Sequence, residues 1–178
     1  MTIKVYKNFL DNQTHKELFD LIQSTKFDWY QVKCVQPPLI TKDTQFCHWL
    51  LALGLDYAIV APSNFYKVFK PLFKQLDITI LHRAKLNLTV RQDELRILGG
   101  FHNDFYRDKE QTQPIEELKV SIYYFNTTNG QTLIKENGKI KKIDCEANSL
   151  VTFSNTLEHV AMTHTDEQFR YVLNLNYI

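Results

Sequence analysis

Two histidines and an aspartate in this 178-residue sequence have the types and spacing of metal ligands. His102 and Asp104 are separated by one residue, and His159 follows much later in the chain. At the end of a strand, the first two side chains would point to the same face, because side chains alternate with a period of two. Two imidazoles and one carboxylate hold non-haem Fe(II) on one side and leave positions open opposite. We therefore predict an iron site formed by His102, Asp104 and His159.

The choice of the third ligand rests on weighing the other histidines. An HxD pair alone is a weak signal, since most such pairs lie in surface turns. We expect His164 to be exposed in a Thr/Asp-rich turn, and His15 and His48 to lie on helices at the surface or the edge of the core. His82, at the start of a predicted strand, stays open as an alternative to His159.

Arg170 heads the segment RYVLNLNYI, shortly after His159. In a strand, Arg170, Val172, Asn174 and Asn176 share one face. A guanidinium in such a run is costly to bury without a partner. A rim ion pair would be the default for a lone arginine. Its place after the last ligand favours a bidentate clamp on the far carboxylate of a 2-oxo acid.

Two further side chains are candidates for the same co-substrate. Tyr124 alternates in step with Val120 and Ile122, so its hydroxyl is placed either in the barrel or in the core. Asn87 belongs to a polar strand face that suits a solvated cavity or an exposed sheet equally well; the face consists of Arg83, Lys85, Asn87 and Thr89.

The chain divides into a helical first part and a strand-rich remainder. We predict a helix capped by Asp11 or Asn12, a second over residues 43–53, and a third from Pro62 to Phe73, interrupted near Pro71. A strand is expected over residues 27–38. Further strands are predicted at residues 78–90, 118–126, 131–135, 139–145, 149–153 and 170–178, with tight turns at Asn129-Gly130 and Asn137-Gly138.

These elements indicate an α+β protein of one domain spanning residues 1–178. Residues 1–77 would form a mostly helical buttress, with N-terminal helices packed against one sheet. Residues 78–178 would form a double-stranded β-helix, or jelly roll. A jelly roll would also bring His159 next to His102 and Asp104 across several intervening strands.

Composition narrows the classes of partner. The chain has 21 Lys+Arg against 20 Asp+Glu, a formal charge of +1, which gives no general attraction to phosphate backbones or anionic lipid. We therefore expect no nucleic-acid or membrane partner. Three cysteines without a CxxC pattern indicate reduced thiols, and no signal-like segment is evident. We expect a soluble cytoplasmic protein, in a cell or in a virus-infected host.

The pattern HxD…H…R, with SIYYFNTTNGQT and EHVAMTHTDEQFRYVLNLNY, resembles the Fe(II)/2-oxoglutarate-dependent dioxygenase superfamily. Its prolyl-4-hydroxylase-like branch, including small members encoded by marine phages and bacteria, is the most similar. The resemblance covers roughly residues 83–178. It implies that His102, Asp104 and His159 are the catalytic iron ligands.

The resemblance also assigns the co-substrate contacts. It implies that Arg170 binds the distal carboxylate of 2-oxoglutarate, with Tyr124 and Asn87 as further contacts. Two departures stand out: Val172 replaces a serine that many members have two residues after the arginine, and Asn129-Gly130-Gln131-Thr132 replaces the usual Gly-Gly before threonine.

The implied activity is hydroxylation with release of succinate and CO2, using Fe(II), 2-oxoglutarate and O2, with ascorbate as an additional reductant. A prolyl residue in a peptide or protein is the substrate that the resemblance implies, and a small metabolite fits the residues equally well. A nucleic-acid oxygenase of the same superfamily and a non-catalytic metal-binding scaffold are the alternatives. Oligomeric state is not indicated.

Overall fold

The computed structural model describes residues 2–32, 45–53, 59–60, 62–108 and 110–178, which form mainly antiparallel strands with two short α-helices. The helices are α1 (Asn12–Gln23) and α2 (Lys70–Lys74), the latter preceded by a 3-10 turn over Tyr66–Phe69. The strands are β1 (Lys4–Tyr6), β2 (Tyr30–Val32), β3 (Gln45–Leu53), β4 (Ile59–Val60), β5 (Leu81–Val90), β6 (Ile97–His102), β7 (Lys119–Tyr124), β8 (Thr128–Glu136), β9 (Lys139–Cys145), β10 (Ser149–Ser154), β11 (His159–Met162) and β12 (Phe169–Tyr177).

The strands form two antiparallel sheets. The larger has the order β1-β10-β7-β12-β5-β3-β2, with β4 also paired to β3, and the smaller has the order β6-β11-β8-β9. Neighbours in each sheet are mostly distant in sequence, as the predicted jelly roll requires. All six strands predicted after residue 77 overlap strands of the structure.

Strand β12 shows how the larger sheet separates apolar from polar surroundings. Tyr171, Leu173 and Leu175 belong to a hydrophobic cluster that also contains Leu18 of α1 and Leu72 of α2. The alternate residues of β12 face the smaller sheet, on the side where the polar site described below is found. This is the division of faces that period-two alternation predicts.

The prediction of a second helix over residues 43–53 is wrong. Residues 45–53 form β3, which pairs with β2 on one side and β5 on the other. The apolar run Trp49-Leu50-Leu51 fits either period, and pairing along β5 decides in favour of the strand. Residues 43 and 44 lie outside the described part of the chain.

The rest of the predicted helical buttress is also less helical than expected. Asp11 caps α1 as predicted, its carboxylate accepting from the Thr14 backbone N–H. The third predicted helix is reduced to the 3-10 turn and α2, and Pro71 lies in the first turn of α2. The strand predicted over residues 27–38 is described only to Val32, and β1 was not predicted.

One of the two predicted Asn-Gly turns is present. Asn137 and Gly138 join β8 to β9 with φ of 51° and 72°. Asn129-Gly130 instead lies within β8, next to an irregularity in its pairing with β9. A Cβ at Gly130 would lie 3.0 Å from the Thr163 carbonyl oxygen. A residue without a side chain is needed here because the backbone at Thr163 approaches β8 closely.

Buried Asn148 joins the segment before α1 to the larger sheet. Its side chain accepts from the Leu10 backbone N–H at 2.9 Å and donates to the Leu10 carbonyl at 2.8 Å. It also accepts from the Tyr123 hydroxyl at 2.9 Å. Its φ of 56° is one that asparagine tolerates better than most residues.

We predict that Asn148→Ala lowers the free energy of unfolding by about 2–4 kcal/mol, because three buried groups each lose a hydrogen-bond partner. Asn137→Ala is the matched control, since Asn137 has a similar φ in an exposed hairpin. That variant should lose only about 1 kcal/mol. Urea denaturation measures both, and equal losses would contradict the role given to Asn148.

Candidate metal site and adjoining cavity

Strand pairing places the three predicted metal ligands together. His102 is the last residue of β6 and His159 the first of β11, and the two are direct partners across these strands. Asp104 follows β6 by two residues. Its carboxylate oxygens lie 3.8 Å from Nε2 of His102 and 4.0 Å from Nε2 of His159. The three potential ligand atoms lie within 4.8 Å of one another, close enough to share one ion.

Hydrogen bonding orients His102 for coordination. Its Nδ1 lies 2.9 Å from the Gly100 carbonyl oxygen. A carbonyl only accepts, so Nδ1 bears the proton and Nε2 keeps its lone pair directed toward His159 and Asp104. The backbone carbonyl thus selects the tautomer that a metal requires.

Two donors hold the buried Asp104 carboxylate. An Arg83 guanidinium nitrogen lies 2.6 Å from Oδ1, and the Asn176 side-chain amide donates to Oδ2 at 2.9 Å. Arg83 Nε also donates to Asn176 Oδ1 at 2.7 Å, closing a triangle of contacts. Burial by itself would raise the pKa of the Asp104 carboxyl group. The opposing effect of Arg83 and the two histidine rings is larger, so this pKa lies well below its ordinary value.

Asn155 fixes the turn that presents Asp104. This fully buried side chain accepts from the backbone N–H groups of Asp104 and Phe105 at 3.1 and 3.2 Å. It donates to the carbonyls of Phe105 and Ile115. Sequence reasoning missed Asn155, because nothing local to Ser154-Asn155-Thr156 indicates that the distant HxD turn packs against it.

His159 is kept neutral by its surroundings. Burial lowers its pKa from 6.5 to about 4, although the Asp104 carboxylate acts in the opposite direction. A neutral imidazole is the form that binds a metal ion. His159 is therefore already in its ligating form near neutral pH.

A cavity of about 440 Å³ adjoins these residues and lies between the two sheets. The polar face of β5 lines this cavity. Of the two alternatives that the sequence left open, a solvated cavity and an exposed sheet, the structure therefore has the cavity. Side chains of β12 form the neighbouring wall. The cavity lining includes Val32, Gln45, Trp49, Arg83, Lys85, Asn87, Thr89, Thr132, Arg170, Val172 and Asn174.

Arg170 lines this cavity as a buried cation without a carboxylate partner among the described residues. Only 4% of its surface is exposed. NH1 donates to the Met162 carbonyl at 3.0 Å, NH2 lies 3.4 Å from the Thr132 hydroxyl, and Nε has no partner. A buried guanidinium in this state calls for an anion from outside the chain.

The two other predicted co-substrate contacts differ in their placement. Asn87 is buried, lines the cavity and has no partner for its Oδ1. Tyr124 is fully buried, and its hydroxyl donates to Thr132 at 2.8 Å rather than lining the cavity. Its ring lies 5.7 Å from the Arg170 guanidinium. Tyr124 therefore contacts Arg170 and Thr132 on the side away from the cavity and helps to hold both in place.

The remaining histidines lie apart from the ligand cluster. His164 is fully buried, which corrects the prediction of an exposed turn residue; Gly130 lets β8 approach it closely. His48 is a buried residue of β3, bonded to the Asp28 carbonyl and the Ser63 hydroxyl, rather than a helical surface residue. His15 contacts the Tyr123 hydroxyl from α1, and His82 lies near the start of β5.

The residues fit the metal that the sequence predicts. Two imidazoles and one ionised carboxylate lie close enough to share one ion, which is the donor set of non-haem Fe(II) sites, and an open cavity lies beside them. The buried, unpartnered Nε of Arg170 and Oδ1 of Asn87 are further groups that a bound molecule would satisfy.

Solved structures with a similar fold are 2-oxoglutarate-Fe(II) oxygenases. A prolyl hydroxylase from Trichoplax adhaerens, in complex with a hypoxia inducible factor peptide fragment, has a TM-score of 0.66 at 16% identity, covering 99% of this chain and 83% of that one. A 2OG-Fe(II) oxygenase family oxidoreductase from Burkholderia pseudomallei has a TM-score of 0.69 at 10% identity, covering 98% and 84%. HygX from Streptomyces hygroscopicus, with nickel, 2-oxoglutarate and hygromycin B bound, has a TM-score of 0.59 at 12% identity, covering 98% and 82%.

At these identities the likeness establishes the fold, which is the jelly roll of 2-oxoglutarate oxygenases. No family model matches the sequence, and neither does any curated protein. Within the described ranges, no helix has the length and apolar character needed to cross a membrane.

The low pKa of His159 predicts a pH-dependent stability. Between pH 6.5 and about 4 the unfolded chain binds a proton at this residue and the folded chain does not, so stability falls as pH falls. Metal-free wild-type protein should therefore lose free energy of unfolding between pH 7 and pH 4. In the His159→Gln variant this decrease should be smaller by about 3 kcal/mol. Urea denaturation at both pH values tests this, and an unchanged pH dependence would contradict the burial of a neutral His159.

The Arg83–Asp104 pair predicts a non-additive pair of substitutions. Arg83→Met should destabilise metal-free protein by about 3 kcal/mol at pH 7, because it leaves a buried carboxylate unpaired. Adding Asp104→Asn should recover much of that loss. Arg107→Met is the control, since its pair with Glu117 is exposed and should contribute less than about 1 kcal/mol. Additive losses in the double variant would contradict the pairing.

Proposed function

We propose that residues 1–178 form one domain that acts as an Fe(II)- and 2-oxoglutarate-dependent oxygenase, with the N-terminal helices supporting the larger sheet. The proposal places it in the prolyl-4-hydroxylase-like branch, similar to small phage and bacterial members. Three features support it: the His102-Asp104-His159 cluster, the cavity beside it, and a fold similar to that of known oxygenases.

The single observation on which the proposal depends most is the state of Arg170. A guanidinium that is 4% exposed and has no carboxylate partner would be strongly unfavourable in a protein without an anionic ligand. It lies in the same cavity as the three potential metal ligands. A dicarboxylate with one end on a metal and the other on Arg170 satisfies both, and 2-oxoglutarate has this chemistry.

Each side chain then has a distinct part in binding. His102, Asp104 and His159 hold the metal, while Arg83 and Asn176 fix the carboxylate of Asp104. Arg170 binds the distal carboxylate of 2-oxoglutarate, and Asn87 supplies a further polar contact. Thr132, which accepts from Tyr124 and lies beside Arg170, keeps the guanidinium in place.

Bound Fe(II) supplies the activation of O2 that couples decarboxylation of 2-oxoglutarate to oxidation of a substrate, with succinate and CO2 as products. The chain contributes the three metal ligands and the cavity beside them, in which Arg170 and Asn87 orient the co-substrate. Ascorbate would serve as an additional reductant, and the cytoplasm of a cell or of an infected host is the proposed location.

Two structural neighbours were solved with different kinds of molecule bound. One was solved with a peptide and another with the small molecule hygromycin B. By resemblance we propose a hydroxylase whose substrate is a prolyl residue in a peptide or protein, with a small metabolite as the alternative.

Arg170→Met should weaken 2-oxoglutarate binding about 100-fold, because two charge-assisted hydrogen bonds are lost, without changing metal affinity. Arg91→Met is the matched control, since Arg91 is exposed and not part of the cavity lining. Anaerobic calorimetry on Fe(II)-loaded protein measures the Kd.

The same titration with metal alone separates the two halves of the site. Asp104→Ala should abolish Fe(II) binding, whereas Asp93→Ala, which removes an exposed carboxylate, should leave it unchanged. Wild-type affinity for 2-oxoglutarate in Arg170→Met, or for Fe(II) in Asp104→Ala, would refute the proposed roles.

A further inference from the structure

The cavity contains a second cation without an acidic partner. Lys85 lies in the middle of β5, and its ammonium lies 5.0 Å from the centroid of the Trp49 ring. No carboxylate among the described residues pairs with it. Arg83 forms an ion pair with Asp104, and the proposed co-substrate would pair with Arg170. Neither of these groups pairs with Lys85.

Charge in the cavity is unbalanced even with both cofactors bound. The described lining has three cations and one carboxylate; they are Arg83, Lys85, Arg170 and Asp104. Fe(II) and the dianion of 2-oxoglutarate cancel each other. The cavity then retains an excess of positive charge, which favours an anionic third component.

The strand register separates Lys85 from the co-substrate end. On β5, Arg83 faces the metal ligand Asp104, while Thr89 is the direct partner of Arg170 on β12. At about 3.3 Å per residue, Lys85 lies about 7 Å along the strand from Arg83 and about 13 Å from Thr89. A group bound to Lys85 would therefore lie near the metal and away from Arg170.

An unpartnered acceptor lies next to Lys85 in the sheet. Asn174, its direct partner on β12, has a buried Oδ1 without a hydrogen bond. 2-Oxoglutarate has no N–H group to offer this oxygen, so it fits a molecule with an N–H donor. On the other side of Lys85 the direct partner on β3 is Trp49, whereas Gln45 pairs with Thr89 at the co-substrate end.

The cavity also extends past β5 to β3, where Trp49 is 44% exposed and lines it beside Lys85. Lys85, Trp49 and Asn174 define the outer part of the cavity. It offers a cation, an acceptor and an aromatic face, two residues along β5 from the Arg83 that binds the proposed metal ligand Asp104.

We propose that the outer part of the cavity binds an α-amino acid unit with a free carboxylate, and that Lys85 binds that carboxylate. The unit is either a free amino acid or the C-terminal residue of a peptide. Its N–H group donates to Asn174, and its side chain faces the metal. This assignment rests on the proposed oxygenase activity and narrows its substrate class.

Burial and the neighbouring Arg83 both lower the pKa of Lys85. A carboxylate bound to the ammonium would counteract both effects. The carboxylate would also give the ammonium of Lys85 an ionic partner in addition to the Trp49 ring.

Three sets of probes test the assignment: the free L-amino acids, their N-acetyl derivatives and their C-terminal amides. Each is titrated by anaerobic calorimetry into protein loaded with Fe(II) and 2-oxoglutarate, and then assayed for stimulated succinate release. At least one free or N-acetyl acid should bind and stimulate release, and its amide should bind at least about 10-fold more weakly. Binding of N-acetyl acids would indicate a peptide C-terminus, and binding of free acids alone a free amino acid.

Lys85→Met should raise the Kd of that acid about 10- to 100-fold and leave the Kd of 2-oxoglutarate unchanged. Lys119→Met is the matched control, because Lys119 also lies over an aromatic ring, Tyr177, but does not line the cavity. Lys85→Arg should restore part of the affinity.

Four outcomes would overturn the assignment: no acid binds, amides bind equally well, Lys85→Met has no effect, or that variant loses 2-oxoglutarate affinity instead. Failure of the oxygenase proposal looks different. In that case wild-type protein would not bind 2-oxoglutarate or release succinate without any added probe.

Discussion

The pairing of the buried Asp104 carboxylate with Arg83 and Asn176 is the interaction on which the rest of the site depends. A carboxylate between two sheets is tolerable only if opposite charge and hydrogen-bond donors surround it. Here the donors come from β5 and β12, adjacent strands of the larger sheet, while Asp104 follows β6 of the smaller one. The contact therefore joins the two sheets at the point where both histidines meet. It also leaves Asp104 ionised, as a metal ligand must be.

The distribution of polar residues follows from how the larger sheet is packed. One face contributes Tyr171, Leu173 and Leu175 to the main hydrophobic cluster, which gives β12 a fixed position. The other face can then present charged groups at set heights along β5 and β12, because each step of two residues moves a side chain about 7 Å. Arg83, Lys85, Asn87 and Thr89 occupy successive positions of this kind. A metal, a co-substrate and a third molecule can be held side by side in such an arrangement.

Much of this could be predicted from the sequence where period-two alternation operates within one strand. The polar face of β5 and the two faces of β12 are local patterns of this kind. Asp104 lies two residues beyond the end of β6, so it approaches His102 through the turn that Asn155 holds rather than through strand alternation. Features that depend on distant partners could not be predicted. Residues 45–53 form a strand because β5 lies alongside, Gly130 is needed because Thr163 approaches it, and Asn155 matters because the HxD turn packs on it. Alternation left the Tyr124 hydroxyl either in the barrel or in the core, and in the structure it donates to Thr132. Alternation gives the face of a residue but not the rotamer that reaches a partner.

The central claim is that one cavity holds Fe(II) through the His-Asp-His cluster and 2-oxoglutarate through Arg170. Anaerobic visible absorption tests it most directly, because 2-oxoglutarate chelated to Fe(II) gives a metal-to-ligand charge-transfer band. The account predicts that the band appears when 2-oxoglutarate is added to the Fe(II)-loaded protein and saturates at one equivalent per chain. Absence of the band in protein that is folded and has bound Fe(II) would contradict the account.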